Sequence, residues 1–527
     1  MTVVTRMEVW SAAGFGIQPL MDAVCAGRSL VRPVSWDDGA LRAPFAALCD
    51  GNSVHELLDA VVGSVLPNDE GPIGLVVGTT SGEISGPFEA WVRAGEPADQ
   101  ERRWRQDPVD RIALARRLAP HRTISVACAS ATAAFDVAER WIRDGVVQRV
   151  IVAGVDKLSL YIHAGFGGLG ALSRTQCRPF SDQRDGLLLG EGAAAFLLET
   201  DASAQRGKRS PIARLLATAI TQDGVHLTAP DATGAGLARC MAAVLQKGGV
   251  TPEEVDCISA HGTGTGLNDA MEAEAYRAVF SGPVPLHAAK AVIGHALGAA
   301  GALEAAIVLA GIGGSELPKP PLEPFDRLVL RPAGRTEVGL SVNAAFGGVN
   351  AAVLFARADR HPPERKLRSA RRIQSLAWSG RSFPLAEIWP DAPPALGRTD
   401  HYVRAGMRAL VELREQLFPQ AGVVLTSQSN CRAADLRYYR GVVEKGSAGA
   451  SRLAFPYTVP GAPLAEGAIL AGLRGPGWVF CGAASEGREE AERAVRCGEL
   501  EQSVALHIEA PENGVDAMAT VEVAVFA

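Results

Sequence analysis

A disulfide framework is missing from this chain. Its nine cysteines are an odd number scattered through 527 residues, and none stand in a Cys-x-x-Cys pair. That pattern removes a stapled secreted scaffold and the usual structural zinc motifs, and it points to a reducing cytoplasm. An excess of basic charge is missing too: 52 Lys and Arg against 58 Asp and Glu leave a formal net charge of -6. No nucleic-acid-binding surface spanning the molecule is expected from that balance. A membrane-length apolar run is the third absence. The longest candidate, ALGAAGALEAAIVLAGIGG from Ala296, is built on Ala and Gly and carries Glu304, so it reads as a buried helix and no membrane span is expected. The opening MTVVTRMEVWSAAGFG shows no basic stretch, apolar core and cleavage site in sequence, so export is not expected.

What is present is core-forming material, 47% hydrophobic residues in a chain long enough for two to four domain-sized units. β-branched runs such as IGLVVGTT, VQRVIVAGVD, VDCISAHGTGT and VGLSVNAAFGG alternate with Ala-rich helical segments. That alternation predicts α/β layers whose sheets are hydrophobic on both faces. Between Arg357 and Arg372 the composition changes to RADRHPPERKLRSARR, with seven Lys or Arg against two acids and a Pro pair. This reads as a basic linker over 359–372, separating a first unit (1–358) from a second (373–527). The second unit echoes the first: AGVVLTSQSNCRAADLRYYRGVVEKG parallels IGLVVGTTSGEISGPFEAWVRAG, and EEAERAVRCGELEQSVALHIEA parallels DVAERWIRDGVVQRVIVAGVD. A partial duplication is implied.

The chemistry gathers at three strand-to-helix turns. Cys128 follows TISVA and precedes the small-residue turns ASATAA; a helix N-terminus there favours thiolate over thiol. On this stretch alone a nucleophile and a buried structural thiol fit equally. Two downstream turns decide between them. SAHGTGTG places His261 before a Gly/Thr turn that could admit a ligand chain, and AAKAVIGHALGAAGALEAA places His295 five residues after Lys290. The spacing fits no zinc motif. As a covalent site it is coherent, with a thiolate to accept an acyl group and two imidazoles to donate to developing oxyanions.

Together VACASA, GFGGLGALSRTQCRPFSDQRDGLLLGEGAAAFLLE, HLTAPDATGAG, AHGTGT, KAVIGHALGAAGALEA and AFGGVNAAVLF resemble the β-ketoacyl-ACP synthases, the elongating condensing enzymes of fatty acid and polyketide synthesis. The resemblance covers about the first 358 residues. It implies a thiolase-like α/β fold layered α-β-α-β-α, followed by an incomplete thiolase-like half. It further implies Cys128 as the thioester-forming nucleophile, with His261 and His295 completing a Cys-His-His triad. Lys290 matches a lysine that organises the site electrostatically, and Glu304 an acid on the helix behind it. Thr263 and Thr265 match hydroxyls that contact the pantetheine arm, and Phe346 matches a gating phenylalanine. The implied reaction is decarboxylative Claisen condensation with malonyl-ACP. No resident cofactor is called for, the substrates riding on the phosphopantetheine arm of acyl carrier protein.

Two positions depart from the family pattern. Ala345 replaces the usual glycine before the gating Phe, and the segment from Gly95 to His121 is charged and short where the family has an apolar stretch that helps form the dimer interface and acyl tunnel. GFGGLG (165–170) matches Gly-x-Gly-x-x-Gly but is not placed between a strand and a helix opening, so no dinucleotide site follows.

The second unit resembles only the family's N-terminal half. Counting from Gly475-Pro476 puts Ala484 in the nucleophile's place, while counting back from Gly498 puts Cys481 there; the first count is favoured. No second HGTGT or GH follows, and His401 and His507 read as surface or packing residues. This unit is expected to leave an apolar face exposed and to dock on a ketosynthase like a chain-length factor. The partners expected are acyl carrier protein and, as family members are dimers, a second ketosynthase-like copy in a homodimer or heterodimer. Rival readings are a thiolase, which normally uses a second cysteine as base, and a non-catalytic chain-length or scaffold partner, against which the complete set Cys128, His261, Lys290 and His295 counts.

Overall fold

A computed structural model describes the chain apart from residues 35, 37–40, 42, 85–86, 95–103, 321–327, 381–384, 391–398 and 511–518. The strands that build the main sheet are, in chain order, β1 (Thr2–Ser11), β2 (Gly74–Gly78), β3 (His121–Ile124), β4 (Arg149–Asp156), β5 (Gly192–Thr200), β6 (Ala213–Gln222), β7 (Cys257–Ser259), β8 (Leu286–His287), β9 (Val338–Ala344) and β10 (Val349–Ala356). The second unit adds β11 (Arg372–Gly380), β12 (Gly422–Ser427), β13 (Gly477–Cys481), β14 (Ser503–Glu509) and β15 (Ala519–Phe526). The helices that shape the site are α1 (Ser130–Arg143), α2 (Leu160–Leu169), α3 (Lys290–Ile293), α4 (Ala300–Ile312), α5 (Arg432–Lys445) and α6 (Ala484–Arg496).

Hydrogen bonding joins these strands into one sixteen-stranded sheet, in the order β8-β7-β9-β10-β6-β1-β5-β4-β2-β3-β13-β12-β14-β15-β11 with Gly14–Phe15 beside β1. The sequence duplication is visible in that order. From the centre outwards the first unit runs β3, β2, β4, β5, β1 and the second runs β13, β12, β14, β15, β11, with parallel and antiparallel pairings matched step for step. At the centre β3 and β13 meet edge to edge and antiparallel, at Ile124 opposite Phe480, and the Ser125 N–H donates to the Val479 carbonyl at 2.9 Å. Each unit thus caps the open edge that the other would present to solvent.

The layering follows from composition, as expected. Every residue of β4 is buried, so its RVIVAGVD run packs on both faces. Helices α1 and α4 fill the middle layer. They approach so closely because the positions between them are small: a Cβ on Gly154 would lie 2.7 Å from the Ala131 methyl and 2.8 Å from that of Ala302. The Ala-rich run from Ala296 is this buried α4, and among the described residues no helix is long and apolar enough to cross a membrane.

The seam between the units combines a shared apolar cluster, in which Tyr161 and Phe166 pack with Leu436, Tyr438 and Phe455, with a set of polar contacts, so the apolar face expected of the second unit is covered by the first. The Trp478 indole donates to Asp136 at 2.9 Å while the Arg140 guanidinium stacks 4.5 Å above it. The Trp141 indole donates to Glu490 at 2.8 Å, Arg493 donates to Asp144 at 3.1 Å, and Arg365 reaches Glu139 at 2.8 Å. The 359–372 stretch, exposed along most of its length, is therefore pinned to α1 by Arg365. On the opposite side of α6, where a complete copy would carry its other half, the helix presents Arg488, paired at 2.9 Å with Glu522, beside His507. Charge stands on that side of the helix, while Ile373 of the neighbouring β11 remains exposed.

One pair at the seam is almost fully buried. Arg105 donates to Asp435 at 2.9 Å and to the Thr458 carbonyl at 3.1 Å, and the Tyr161 hydroxyl donates to the same carboxylate at 2.7 Å. Removing Asp435 leaves the Arg105 charge without its carboxylate in a low-dielectric site. We expect Asp435→Ala to cost about 3–5 kcal/mol in a denaturant titration, and a loss under about 1 kcal/mol would show that the pair does not hold the units together. Arg105 thus brings the charged segment from Gly95 to His121 into contact with the second unit; residues 95–103 of that segment lie outside the described structure.

Candidate active site

The cysteine sits at an elbow. A short 3-10 turn (Ala127–Ala129) links the β3 end to α1, and Ala127 before the cysteine holds a left-handed backbone (φ 50°) that a non-glycine residue rarely takes. Ser130 stabilises the bend, accepting from the Val126 N–H at 3.0 Å and donating to the Ala127 carbonyl at 2.6 Å. Leu297 (φ 51°) makes the same turn into α4 two residues after His295. Two matching elbows, at the starts of the two central helices, bring Cys128 and His295 face to face.

Their contact is direct: His295 Nε2 lies 2.9 Å from Cys128 Sγ. The His261 and His295 rings meet edge to face at 5.3 Å between centroids. His261 Nδ1 faces two donors, Lys290 Nζ and Asn343 Nδ2, each at 3.3 Å, so Nδ1 accepts and Nε2 carries the proton. Lys290 spends its ammonium on Glu304, on the His261 carbonyl at 2.6 Å and on that ring nitrogen. Asn343 closes the network, donating to the second Glu304 oxygen at 2.7 Å and accepting from Thr132. Lys290 and Glu304 are each 1% exposed, a depth at which leaving either without its partner would be costly.

Burial sets the proton chemistry, and it corrects the expectation of a thiolate. Removal from water pushes the Cys128 thiol up to about 12, against the pull of the Lys290 ammonium. Burial also holds both imidazoles well below their usual range, reinforced by Lys290 and, for His261, by His295. Both shifts favour a neutral thiol beside a neutral imidazole. Alkylation of Cys128 by iodoacetamide should therefore accelerate tenfold per pH unit from pH 7 to pH 10, as the thiolate fraction grows below its pKa. A plateau below pH 8 in a mass-resolved alkylation assay would instead reveal a stable thiolate–imidazolium pair.

Cys128, His261 and His295 place ligand-type atoms within 4.8 Å of one another. The set does not suit a zinc ion, because Lys290 and Asn343 fix the His261 proton on the nitrogen that would have to ligate.

These three side chains line a cavity of about 420 Å³ that also reaches Thr263, Thr265 and Phe346. The threonine hydroxyls lie 2.9 Å apart. Asp269 accepts from the Thr263 and Gly264 N–H groups at 3.1 and 3.2 Å, and Glu272 accepts from those of His261 and Gly262 at 3.0 and 2.6 Å, so two buried carboxylates shape this loop. Phe346 stacks on Phe166 of α2 at 5.9 Å. The alanine before it costs no strain: Ala345 keeps an ordinary backbone and donates to the Val349 carbonyl at 2.9 Å. Every site residue expected from the sequence is at this cavity except Lys290 and Glu304, which stand directly behind His261.

Sequence reasoning missed Asn343 and Asp156. Asp156, at the end of β4, accepts from the Thr79 hydroxyl (2.9 Å), from the backbone of Thr80, Ser81 and Gly298, and from the Ser81 hydroxyl, tying the β2 loop to the elbow after His295. A polar residue at or next to the C-terminal end of each apolar strand was the available signal. GFGGLG lies within and at the end of α2 and not in the turn that leads from β4 into it, the place a dinucleotide-binding motif requires.

In the second unit, aligning the strands on the facing pair Ile124 and Phe480 puts Ala484 at the place of Cys128, the favoured count. Cys481 is buried at the end of β13. His507 contacts Thr426 at 2.9 Å and Glu509 at 3.3 Å, and His401 begins a helix (His401–Leu413); neither faces a nucleophile. The second unit nonetheless touches the site wall. Phe455 packs edge-on against Phe166 at 5.4 Å, and the Tyr438 hydroxyl donates to the Tyr161 carbonyl at 3.0 Å, both contacts falling on α2.

Comparison with known proteins agrees with this geometry. Residues 111–204 match the N-terminal domain of β-ketoacyl synthase and residues 212–320 its C-terminal domain. The chain is 34% identical over 257 residues to the chloroplastic 3-oxoacyl-[acyl-carrier-protein] synthase I of Hordeum vulgare, covering 45% of this chain and 55% of that one. It is 31% identical over 248 residues to 3-oxoacyl-[acyl-carrier-protein] synthase 2 of Mycobacterium tuberculosis, covering 44% of this chain and 60% of that one. The chain thus spans little more than half the length of the curated relatives it matches. Among solved structures, the PfaC ketosynthase–chain length factor covers 99% of this chain and 78% of its own at a TM-score of 0.80 and 14% identity, a likeness of fold. The ishigamide ketosynthase/chain length factor covers 68% of this chain and 98% of its own, at a TM-score of 0.61 and 27% identity. Motif, elbow geometry and fold converge: residues 111–320 are similar to the two domains of β-ketoacyl synthase, and the whole chain shares the fold of a ketosynthase–chain length factor.

Proposed function

We propose that the chain is a carrier-protein-dependent β-ketoacyl synthase that condenses an acyl group held on Cys128 with malonyl-ACP. The observation that carries this reading is the 2.9 Å contact between Cys128 Sγ and His295 Nε2 at the end of a cavity wide enough for a pantetheine arm. In acyl transfer the thiol proton passes to His295 as sulfur attacks the thioester carbonyl, and the departing carrier thiolate takes that proton back. His295 is too weakly basic in its buried setting to retain it.

In condensation the malonyl carboxylate leaves as carbon dioxide. The enolate oxygen left behind is met by imidazole N–H groups of His261 and His295, and its carbon attacks the Cys128 thioester. The sulfur departs as a thiolate and takes up one proton from solvent, which balances the carboxylate lost as carbon dioxide. Lys290 and Asn343 hold the His261 proton on Nε2, the tautomer that can donate to that oxygen. Thr263 and Thr265 offer hydroxyls to the arm, and Phe346 lines the same cavity as the reacting sulfur, where it can gate the second substrate.

The second unit acts as a built-in chain-length factor. Its support is Phe455 and Tyr438 packed on α2, the helix whose Phe166 lines the cavity. Substrates arrive on the phosphopantetheine arm and no resident cofactor is called for. Nine unpaired thiols suit a reducing, cytoplasmic setting. Incubation with decanoyl-ACP followed by intact and peptide mass spectrometry tests the reading: a decanoyl increment on Cys128, discharged by malonyl-ACP as a β-ketoacyl-ACP, is expected. No increment under conditions where the protein is folded would overturn it.

A further inference from the structure

A second cavity, of about 390 Å³, opens behind the catalytic one and shares no lining residue with it. Val24, Pro179, Val292 and Pro318 give its walls an apolar side, Ser29, Gln176 and Ser181 a polar one, and Arg178 and Lys319 border it with positive charge. Among the described residues no carboxylate pairs with either cation and none lines the cavity. Arg178 meets only the amide oxygens of Gln176 and Gln183, at 3.4 and 3.3 Å. Uncompensated cations at the rim of a hole with an apolar side define an anionic head and a hydrocarbon tail.

The wall is mechanically placed. Ala288, Ala289, Ala291 and Val292 belong to or adjoin α3, the single turn whose Lys290 reaches the other way onto His261 and Glu304. That turn ends at Gly294 (φ 68°), one residue before His295. The Leu30 N–H, just beyond the rim residue Ser29, donates to the Val292 carbonyl at 2.9 Å. On the far side, Cys177 donates to the Thr263 carbonyl at 3.2 Å, so the cavity also abuts the rear of the Thr263–Thr265 loop. A ligand here would press on the supports of both catalytic histidines without entering their pocket.

We infer that this cavity is an effector site for a single-chain amphiphile with a carboxylate or phosphate head, coupled to the catalytic centre through α3. The inference does not depend on the synthase reading, since neither readout below requires turnover. The full chain is titrated calorimetrically with dodecanoate and, separately, with dodecyl phosphate, and Cys128 alkylation by iodoacetamide is timed with and without each. Dodecanoate alone acting identifies a fatty-acid carboxylate; the phosphate alone identifies a phosphorylated amphiphile. In either case the affinity should fall at least tenfold in Arg178→Glu/Lys319→Glu and in Ser29→Trp, which blocks the rim. The alkylation rate should shift at least twofold in the unaltered chain and not in those variants. Binding by neither probe overturns the inference, and so does binding or an alkylation response that persists unchanged in both variants, which would place the amphiphile in the catalytic cavity.

Discussion

Cys128→Ala should leave a folded chain that takes up no acyl group from an acyl-ACP and has lost condensing activity by about 10⁴-fold or more, as expected when a covalent nucleophile is deleted. The fold should tolerate the change because the sulfur's near contact is His295, and the elbow is held by Ser130 and the Ala127 backbone. The measurement is paired: acyl-enzyme mass and product formation, with circular dichroism as the control for folding. Loading that survives in the variant would move the nucleophile elsewhere, and the eight other cysteines would then have to be searched. A purely scaffolding chain would show no difference between the two proteins.

Expression of residues 1–358 alone should give an insoluble or aggregated product. Cutting there strips the β13 partner from β3, leaving the Ile124 edge open. It also strands groups whose partners lie in the second unit: Arg105 without Asp435, Asp136 without Trp478, and Asp144 without Arg493 and Arg496. Water can solvate those charges once their cover is gone, but the open strand edge and the apolar surface uncovered with it favour association between chains. Light scattering and sedimentation of the truncated chain check this. A soluble, monodisperse 1–358 fragment with unchanged product length would remove both the structural and the chain-length role given to the second unit.

The sequence disclosed the reacting atoms more readily than what governs them. Cys128, His261, His295 and Lys290 stood out because each occupies a short, Gly- or Ala-rich turn in an apolar context, a local signature. Asn343 and Asp156 were obscure because their value depends on an approach made only in three dimensions: Asn343 meets Glu304 across 39 positions of chain, and Asp156 meets Ser81 across 75. The proton state of Cys128 was misread for a related reason. A helix N-terminus is visible locally, whereas the burial that outweighs it comes from the whole fold.

The second unit shows the same division. Its strand and helix spacing revealed the duplication, and the resulting sheet order confirms it. That its outer face would be charged required knowing which side of α6 is left facing water, and that its inner face would be held by ion pairs required contacts such as Arg105 with Asp435, 330 positions apart. Hydrophobic patterning locates a helix but does not say which neighbour each stripe meets.

Because both lobes descend from a single translation product, their ratio is fixed at one to one and cannot be diluted by exchange with loose copies. Each side of the seam can also drift by itself. An acid introduced on α6 appears once, and an answering base can arise on α1 with no duplicate of either at a mirrored position. The Trp478–Asp136 and Trp141–Glu490 contacts, each joining unlike faces, are the kind of pairing that such freedom permits and that strict self-association would forbid.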